Sequence, residues 1–313
     1  MIKNVTIKNI VTNKEIELGY EGSFIIEEID WDSPIISHDN FRVPYQIGVS
    51  YLGTNVGIRK PSIIGYVVMP MEEQKRINKT NWKDYYKRQE EYIEKMKLEL
   101  DKVISINQDV IITANGYTLY ARPTQPPKYS KSFKENNEIL CMFSLGFECF
   151  KPMFYFGEKY VELAVVREMF HFPLIISEDG VIFSEIERRK SILVNNESDV
   201  DCGCIIVIEA EGNEVINPKI YNVVTGEYLY FEGLTLNDGD ILTVNTNIGE
   251  ENAVVHRVET SQDESVVGTL SAGSEFLKIK QGSSYYAYDV ESGENSINIY
   301  MKYSEEYFNI KGM

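Results

Sequence analysis

The stretch NPKIYNVVTGEYLYFEGLTLNDGDILTVNT, residues 217–246, decides the fold class. Turn signals recur within it, at Thr225-Gly226, Glu232-Gly233 and Asn237-Asp238-Gly239, and apolar residues alternate between them. Alternation with period two places one set of side chains on one face of a strand. Gly and Asn-Asp pairs reverse the chain where positive φ costs little. The stretch therefore reads as a run of hairpins, and it holds no nucleophile, base or metal cluster.

The same texture extends in both directions. Beyond about residue 160, short alternating runs such as VELAVV, CGCIIVIEAEG, AVVHRVET, SVVGTL, FLKIKQG, SYYAYDV and NSINIYMKY are separated by Gly, Asn, Asp or Ser. Many short strands with frequent turns imply a β-sandwich or barrel, and no fixed repeat period points to a solenoid or propeller. Residues 1–70 also read as strands: VTIKNIV (5–11), EIELGY (15–20), SFIIEEIDW (23–31), YQIGVSYLG (45–53) and KPSIIGYVVM (60–69). A polar loop containing His38-Asp39-Asn40 is expected between the third and fourth. Extended structure is expected to be interrupted once, at 81–104, where residues 82, 85, 86, 92, 93, 96, 100, 103 and 104 form the stripe of an amphipathic helix with Asn81 as N-cap. The simplest role for that helix is to cover one face of a sheet. Asn115-Gly116, between alternating runs, predicts a tight hairpin.

Charge divides the chain. Residues 1–156 hold 20 basic and 20 acidic residues, whereas residues 157–313 hold 11 and 28, so the whole net charge of −17 lies in the second part. An acidic surface repels phosphate backbones, which argues against tight nucleic-acid binding. The amino terminus has no signal-peptide core, and the longest apolar run, at 62–69, is too short to cross a bilayer, so no membrane association and synthesis in the cytoplasm are expected. A chain of 313 residues with four Cys has no disulfide framework. Cys141 and Cys149 read as buried thiols. The Cys202-Gly-Cys204 pair lacks the second pair or nearby His that a zinc site needs.

Candidate chemistry is sparse. The three His, His38, His171 and His256, stand apart in the sequence. Carboxylates are numerous, but nothing selects two that converge. Nucleotide-binding glycine loops are absent, and Asp238-Gly239-Asp240 lacks the spacing and distal Glu of a calcium loop. No residue is assigned a catalytic, cofactor-binding or metal-ligating role, and no enzyme activity is expected.

Certain residues carry a resemblance. Asn217-Pro218-Lys219-Ile220, Thr225-Gly226-Glu227, the run Asn237 to Thr246, and Ser274 to Gly282 before a last strand resemble the carboxy-terminal domain of the phage distal tail (Dit) proteins, found in siphophages and their prophage or tailocin relatives. Gly48, Arg59, Gly65, the helix at 81–104 and Cys149-Phe150-Lys151-Pro152 resemble the first domain of that family. The chain departs from it in lacking an N-x-G segment near 195–203 and in a longer piece at 160–190. The resemblance implies a mainly β chain of two domains: residues 1–158 as a ring-forming β-sandwich with one packed helix, and residues 159–313 as a galectin-like β-sandwich. It implies a homo-oligomer, a hexameric ring at the virion tail tip or baseplate, whose partners are the tail tube protein, a tail-associated hub or fibre protein and a receptor-binding protein. It brings no cofactor and no catalytic residue. An alternative is a carbohydrate-binding module protein contacting the host cell wall. Both Trp, Trp31 and Trp82, fall in the first part, so its stacking candidates in the second are the tyrosines of YLYFEG and SYYAYDV.

Overall fold

The computed structural model describes residues 4–45, 47–76, 82–132, 134–137, 139–168, 184–188 and 191–311. His171, Asn81 and most of the longer piece at 160–190 lie outside the described residues. The chain is mainly β, as its alternation implies. It forms two compact units, residues 1–156 with 308–313, and residues 157–307.

The first unit contains β1 (Asn4–Asn9), β2 (Glu15–Gly19), β3 (Phe24–Asp30), β4 (Ile36–Phe41), β5 (Ser50–Val56) and β6 (Ser62–Val68). Two helices follow, α1 (Met71–Arg76) and α2 (Trp82–Val103), then β7 (Val110–Ala114), β8 (Tyr117–Pro123), β9 (Lys128–Tyr129), β10 (Leu140–Glu148) and the start of β11 (Phe154–Glu168). β1 pairs antiparallel with β2 and β7, and β7 with β8. β3 pairs antiparallel with β6, and β6 with β10. β2 meets β3 in parallel at Gly19 and Ile25. β10 then returns to β8, with Phe147 opposite Pro123 and Glu148 opposite Arg122. That last pairing closes the strands into a barrel, where the family resemblance implied a β-sandwich. Closure satisfies strand edges that would otherwise expose unpaired N–H and C=O groups.

Asn115-Gly116 makes the expected tight turn, with φ of 51° and 82°, between Ala114 and Tyr117. Helix α2 buries Tyr85, Gln89, Ile93, Leu100 and Val103, spaced three, four or seven apart as one helical face requires, and packs on β1, β2 and β6. Its outer face carries the ion pairs Glu94–Lys97 and Glu99–Lys102, at 2.7 and 2.8 Å. Two expectations for this unit fail. α1 is a second helical interruption, started by the Pro70 carbonyl accepting from the Gln74 amide at 3.0 Å. It buries no residue, so it leaves no apolar stripe to read. The polar loop around His38 is strand β4, paired with β5 from Ile36–Val56 to Phe41–Ser50. All six β4 residues are exposed, so alternation, which reports burial of one face, is missing.

The second unit continues β11 and adds β12 (Ser184–Arg188), β13 (Ile192–Asn196), β14 (Ile205–Ala210), β15 (Val215–Ile216), β16 (Lys219–Asn222), β17 (Tyr228–Tyr230), β18 (Thr235–Leu236), β19 (Ile241–Asn245), β20 (Asn252–Arg257), β21 (Gln262–Ser265), β22 (Gly282–Asp289) and β23 (Ile297–Tyr307). One layer runs β21-β20-β19-β14-β23-β11, and the other is β13-β22-β16-β17. Residues from both fill one core, among them Ile206, Ile208, Leu242, Val255 and Ile299 from the first and Val194, Ile220, Leu229 and Tyr286 from the second.

The opening stretch folds differently from a simple run of hairpins. Only its first turn joins neighbouring strands, β16 and β17. After Gly233 the chain leaves that layer, β18 pairs with β15, and β19 lies between β14 and β20 in the other layer. Turn residues mark where a chain reverses, not which sheet receives it. SVVGTL holds a short 3-10 turn, Val267–Thr269, and FLKIKQG only a single bridge from Ile279 to Cys202.

Gly65 sits where β6 passes between β3 and β10. A Cβ there would collide with the Ile25 carbonyl oxygen and lie 2.8 Å from Cζ of the buried Phe143 ring. Overpacking of this kind costs about 3 kcal/mol. Gly65→Ala is expected to lower the chemical denaturation midpoint strongly, whereas Gly53→Ala, which meets nothing within 4 Å, leaves it unchanged.

Candidate interaction surface

The β4–β5 hairpin, with its tip at 42–49, stands apart from the barrel as its own two-stranded sheet. Several of its exposed side chains are apolar. Tyr45 and Ile47 are fully exposed, and Ile35, Phe41, Val49, Tyr51 and Leu52 are each about half exposed or more. Contiguous apolar exposure of this kind marks an interaction site in a folded protein. Local polar contacts hold its shape: His38 Nδ1 lies 3.0 Å from Thr54 Oγ1, Asn55 donates to Asp39 at 2.7 Å, and the His38 ring meets Tyr51 edge-on.

The foot of the hairpin is fixed by Arg59, which is fully buried. Its guanidinium donates from Nε to the Pro152 carbonyl at 2.7 Å, and from Nη1 to the Trp31 and Asp32 carbonyls at 3.2 and 2.9 Å. Nη2 donates to the Phe308 carbonyl. The Phe154 ring lies under the guanidinium, 4.5 Å from Cζ, and Trp31 meets that ring edge-on. The Arg59 backbone exchanges both hydrogen bonds with Cys149, at 3.2 and 2.8 Å. Asp32 takes a φ of 52°, which aims its carbonyl inward, and its carboxylate accepts from the Lys60 amide at 3.0 Å. The Gly57 amide closes the hairpin onto the Ile35 carbonyl at 2.8 Å. Both feet of the hairpin, Trp31-Asp32 and Gly57 to Lys60, are thereby tied to one point. Burial lowers the Arg59 pKa, while nearby Cys149 and Asp32 act the other way; arginine remains a cation regardless.

The remaining sequence candidates are scattered. His256 is an exposed residue of β20, with Nδ1 2.7 Å from Asp263 Oδ1 across the strand pair. The four cysteines are free and buried. Cys202 Sγ donates to Ser198 Oγ at 3.1 Å, and burial pushes the Cys204 thiol up to about 12. Among the described residues no group of His, Cys, Asp or Glu is placed to hold a metal ion. Asp240, which follows the Asn237-Asp238-Gly239 turn, is buried. Its carboxylate accepts from Arg257 Nη1 at 2.7 Å and from the amides of Asn237 and Val258 at 2.9 and 3.0 Å. Burial pushes its pKa up, but these donors outweigh burial and hold it below the usual carboxylate value. The tyrosines of YLYFEG and SYYAYDV do come together, with Tyr228, Tyr230 and Tyr285 on one layer, β13-β22-β16-β17. No described helix is long and apolar enough to cross a membrane.

No family model and no curated protein matches the chain. Solved structures do. The crystal structure of the SPP1 Dit protein, described as a paradigm of the hub adsorption apparatus in phages infecting Gram-positive bacteria, matches with a TM-score of 0.58 at 12% identity, over 96% of this chain and 98% of that one. The chain has the fold of SPP1 Dit. The phage P2 baseplate in its activated conformation with calcium also aligns, with a TM-score of 0.46 at 5% identity, over 96% of this chain and 98% of that chain. The Dit-like fold thus extends along nearly the whole sequence, at 12% identity to SPP1 Dit.

In this Dit-like chain the Arg59 cluster is the feature most open to test. Removing its side chain leaves buried carbonyls without donors, which costs about 3–5 kcal/mol. Arg59→Met is expected to lose that much in urea unfolding. Arg59→Lys, with a single ammonium in place of the fork, recovers less than half.

Proposed function

We propose that this chain is a structural protein of a phage, prophage or tailocin tail tip. In this reading its first unit forms a homo-oligomeric ring, a hexamer, that joins the tail tube to the baseplate hub. The second, galectin-like unit faces outward toward receptor-binding proteins. The reading rests on one observation: a fold shared with SPP1 Dit over 96% of this chain and 98% of that one. Partial agreement in one module would leave other arrangements open; agreement across both units favours the same kind of part.

The physical chemistry supports it. A closed ring needs head-to-tail contacts between different surfaces of identical chains. The barrel offers few free edges for this, so the β4–β5 hairpin is the natural contact, with its apolar side chains exposed and its feet fixed. The balanced charge of residues 1–156 suits packing beside copies of itself, whereas the acidic second part suits a peripheral module. Function is then by shape, with no turnover of substrate.

Two measurements check this reading. Gold-labelled antibody against the second unit is expected to mark the far end of intact tails in electron micrographs; labelling elsewhere on the particle rejects the proposal. Tyr51→Asp with Ile47→Asp is expected to leave the melting temperature of the isolated chain unchanged and to abolish complete tails when supplied in place of the native chain.

A further inference from the structure

The β13-β22-β16-β17 layer has an outer face that the tail-tip reading does not use. In β16 and β17, Lys219, Tyr221, Tyr228 and Tyr230 alternate with the fully buried Ile220 and Leu229. Cross-strand register puts Lys219 opposite Tyr230 and Tyr221 opposite Tyr228. On β22 the same face carries Tyr285, which is 46% exposed. The Lys219 ammonium lies 4.8 Å from the ring centroid of Tyr228, 5.6 Å from that of Tyr221 and 6.0 Å from that of Tyr230. Three tyrosine rings hold one cation, an arrangement that the negative faces of the rings favour.

Packing alone explains part of this. Cross-strand aromatic pairs stabilise sheets, and Tyr228 donates to the Ala272 carbonyl at 3.3 Å. Packing does not explain the polar ends. The hydroxyls of Tyr221, Tyr230 and Tyr285 have no protein partner among the described residues, and Lys219 has no carboxylate within ion-pair distance there. Asp289, its cross-strand neighbour, turns its carboxylate to the Val290 amide at 3.0 Å. The face therefore presents apolar rings with free hydroxyl rims around an ammonium that makes no ion pair among the described residues, with Asp289 as its cross-strand neighbour. It does so in a region with 28 acidic and 11 basic residues. Those acids act weakly beyond a screening length of about 8 Å in physiological salt, so the local cation decides the sign of the ligand.

We infer that the outer face of the β13-β22-β16-β17 layer binds a glycan bearing an anionic substituent. Sugar rings stack on Tyr230 and Tyr285, and a phosphate or carboxylate pairs with Lys219. Rings offer a flat apolar surface and hydroxyl rims offer hydrogen bonds, the two things a sugar presents in return. A free phosphate or carboxylate without sugar rings would use Lys219 alone and bind far more weakly. The inference concerns the second unit only, and it holds or fails whether or not the chain belongs to a tail tip.

The test is calorimetric titration of the full chain with three polymers: phosphomannan, oligogalacturonate and neutral mannan. Saturable binding to at least one anionic polymer is expected, several-fold tighter than to neutral mannan and weakened by added salt. Tyr230→Ala with Tyr285→Ala is expected to weaken it about tenfold, a loss of two stacking contacts. Lys219→Gln reduces anionic binding to the neutral level, and Lys219→Arg retains it. The double tyrosine variant is checked for an unchanged melting temperature, and Lys219→Gln reads out the site independently of it. No saturable binding to any of the three at about millimolar chain, the weak end of the useful affinity scale, overturns the inference. So does binding that is equal for charged and neutral polymers, or that survives the tyrosine substitutions.

Discussion

A buried guanidinium organises the first unit. Arg59 is a full charge taken out of water, and such a charge is tolerated only when its donors are satisfied. Here no carboxylate performs that task at hydrogen-bond distance. Carbonyl dipoles of Trp31, Asp32, Pro152 and Phe308 do, with the Phe154 ring beneath. Planar, forked geometry is what allows one side chain to reach four carbonyls on three backbone segments. Each of those segments is irregular chain that strand pairing leaves unsatisfied, so the guanidinium replaces a ladder where no ladder runs.

That constraint explains how an apolar hairpin can be exposed without being loose. Strand pairs standing alone are marginal in water. β4 and β5 are held at their base because Trp31 and Asp32 lead in, Arg59 and Lys60 lead out, and all four meet at the cluster. The tip residues can then be chosen for a partner instead of for a core. In the second unit the division of labour is different. A two-layer core carries stability, and its turns are fixed by groups such as Asp240, so an outer sheet face is released to carry half-buried tyrosines and the exposed Tyr285.

Legibility in the sequence followed burial. Helix α2 was readable because one face of it is buried at helical spacing, and the Asn115-Gly116 turn because its backbone demands those residues. Strand β4 was not, since side chains exposed on both faces leave no period. Helix α1 was missed for the same reason. Arg59 was visible as a residue but not as a clamp, because its acceptors lie as far away as Phe308 in sequence. Within the opening stretch every turn was legible, but the passage of the chain from one layer to the other was not. Likewise the tyrosines of YLYFEG and SYYAYDV were readable as alternating, whereas their meeting on one face depends on the pairing of β16 with β22. The closing of the first unit through β8 and β10 is a pairing of only two residue pairs, too short to leave a pattern.

The central claim is that copies of this chain join through the hairpin that Arg59 anchors. Hydrogen–deuterium exchange tests it most directly, comparing amides of residues 36–56 in the isolated chain and in assembled tails. Slowing of exchange across the hairpin on assembly, with little change in β1, β7 and β8, is the result the account predicts. Equal exchange of the hairpin in both states, with protection gained elsewhere, would contradict it.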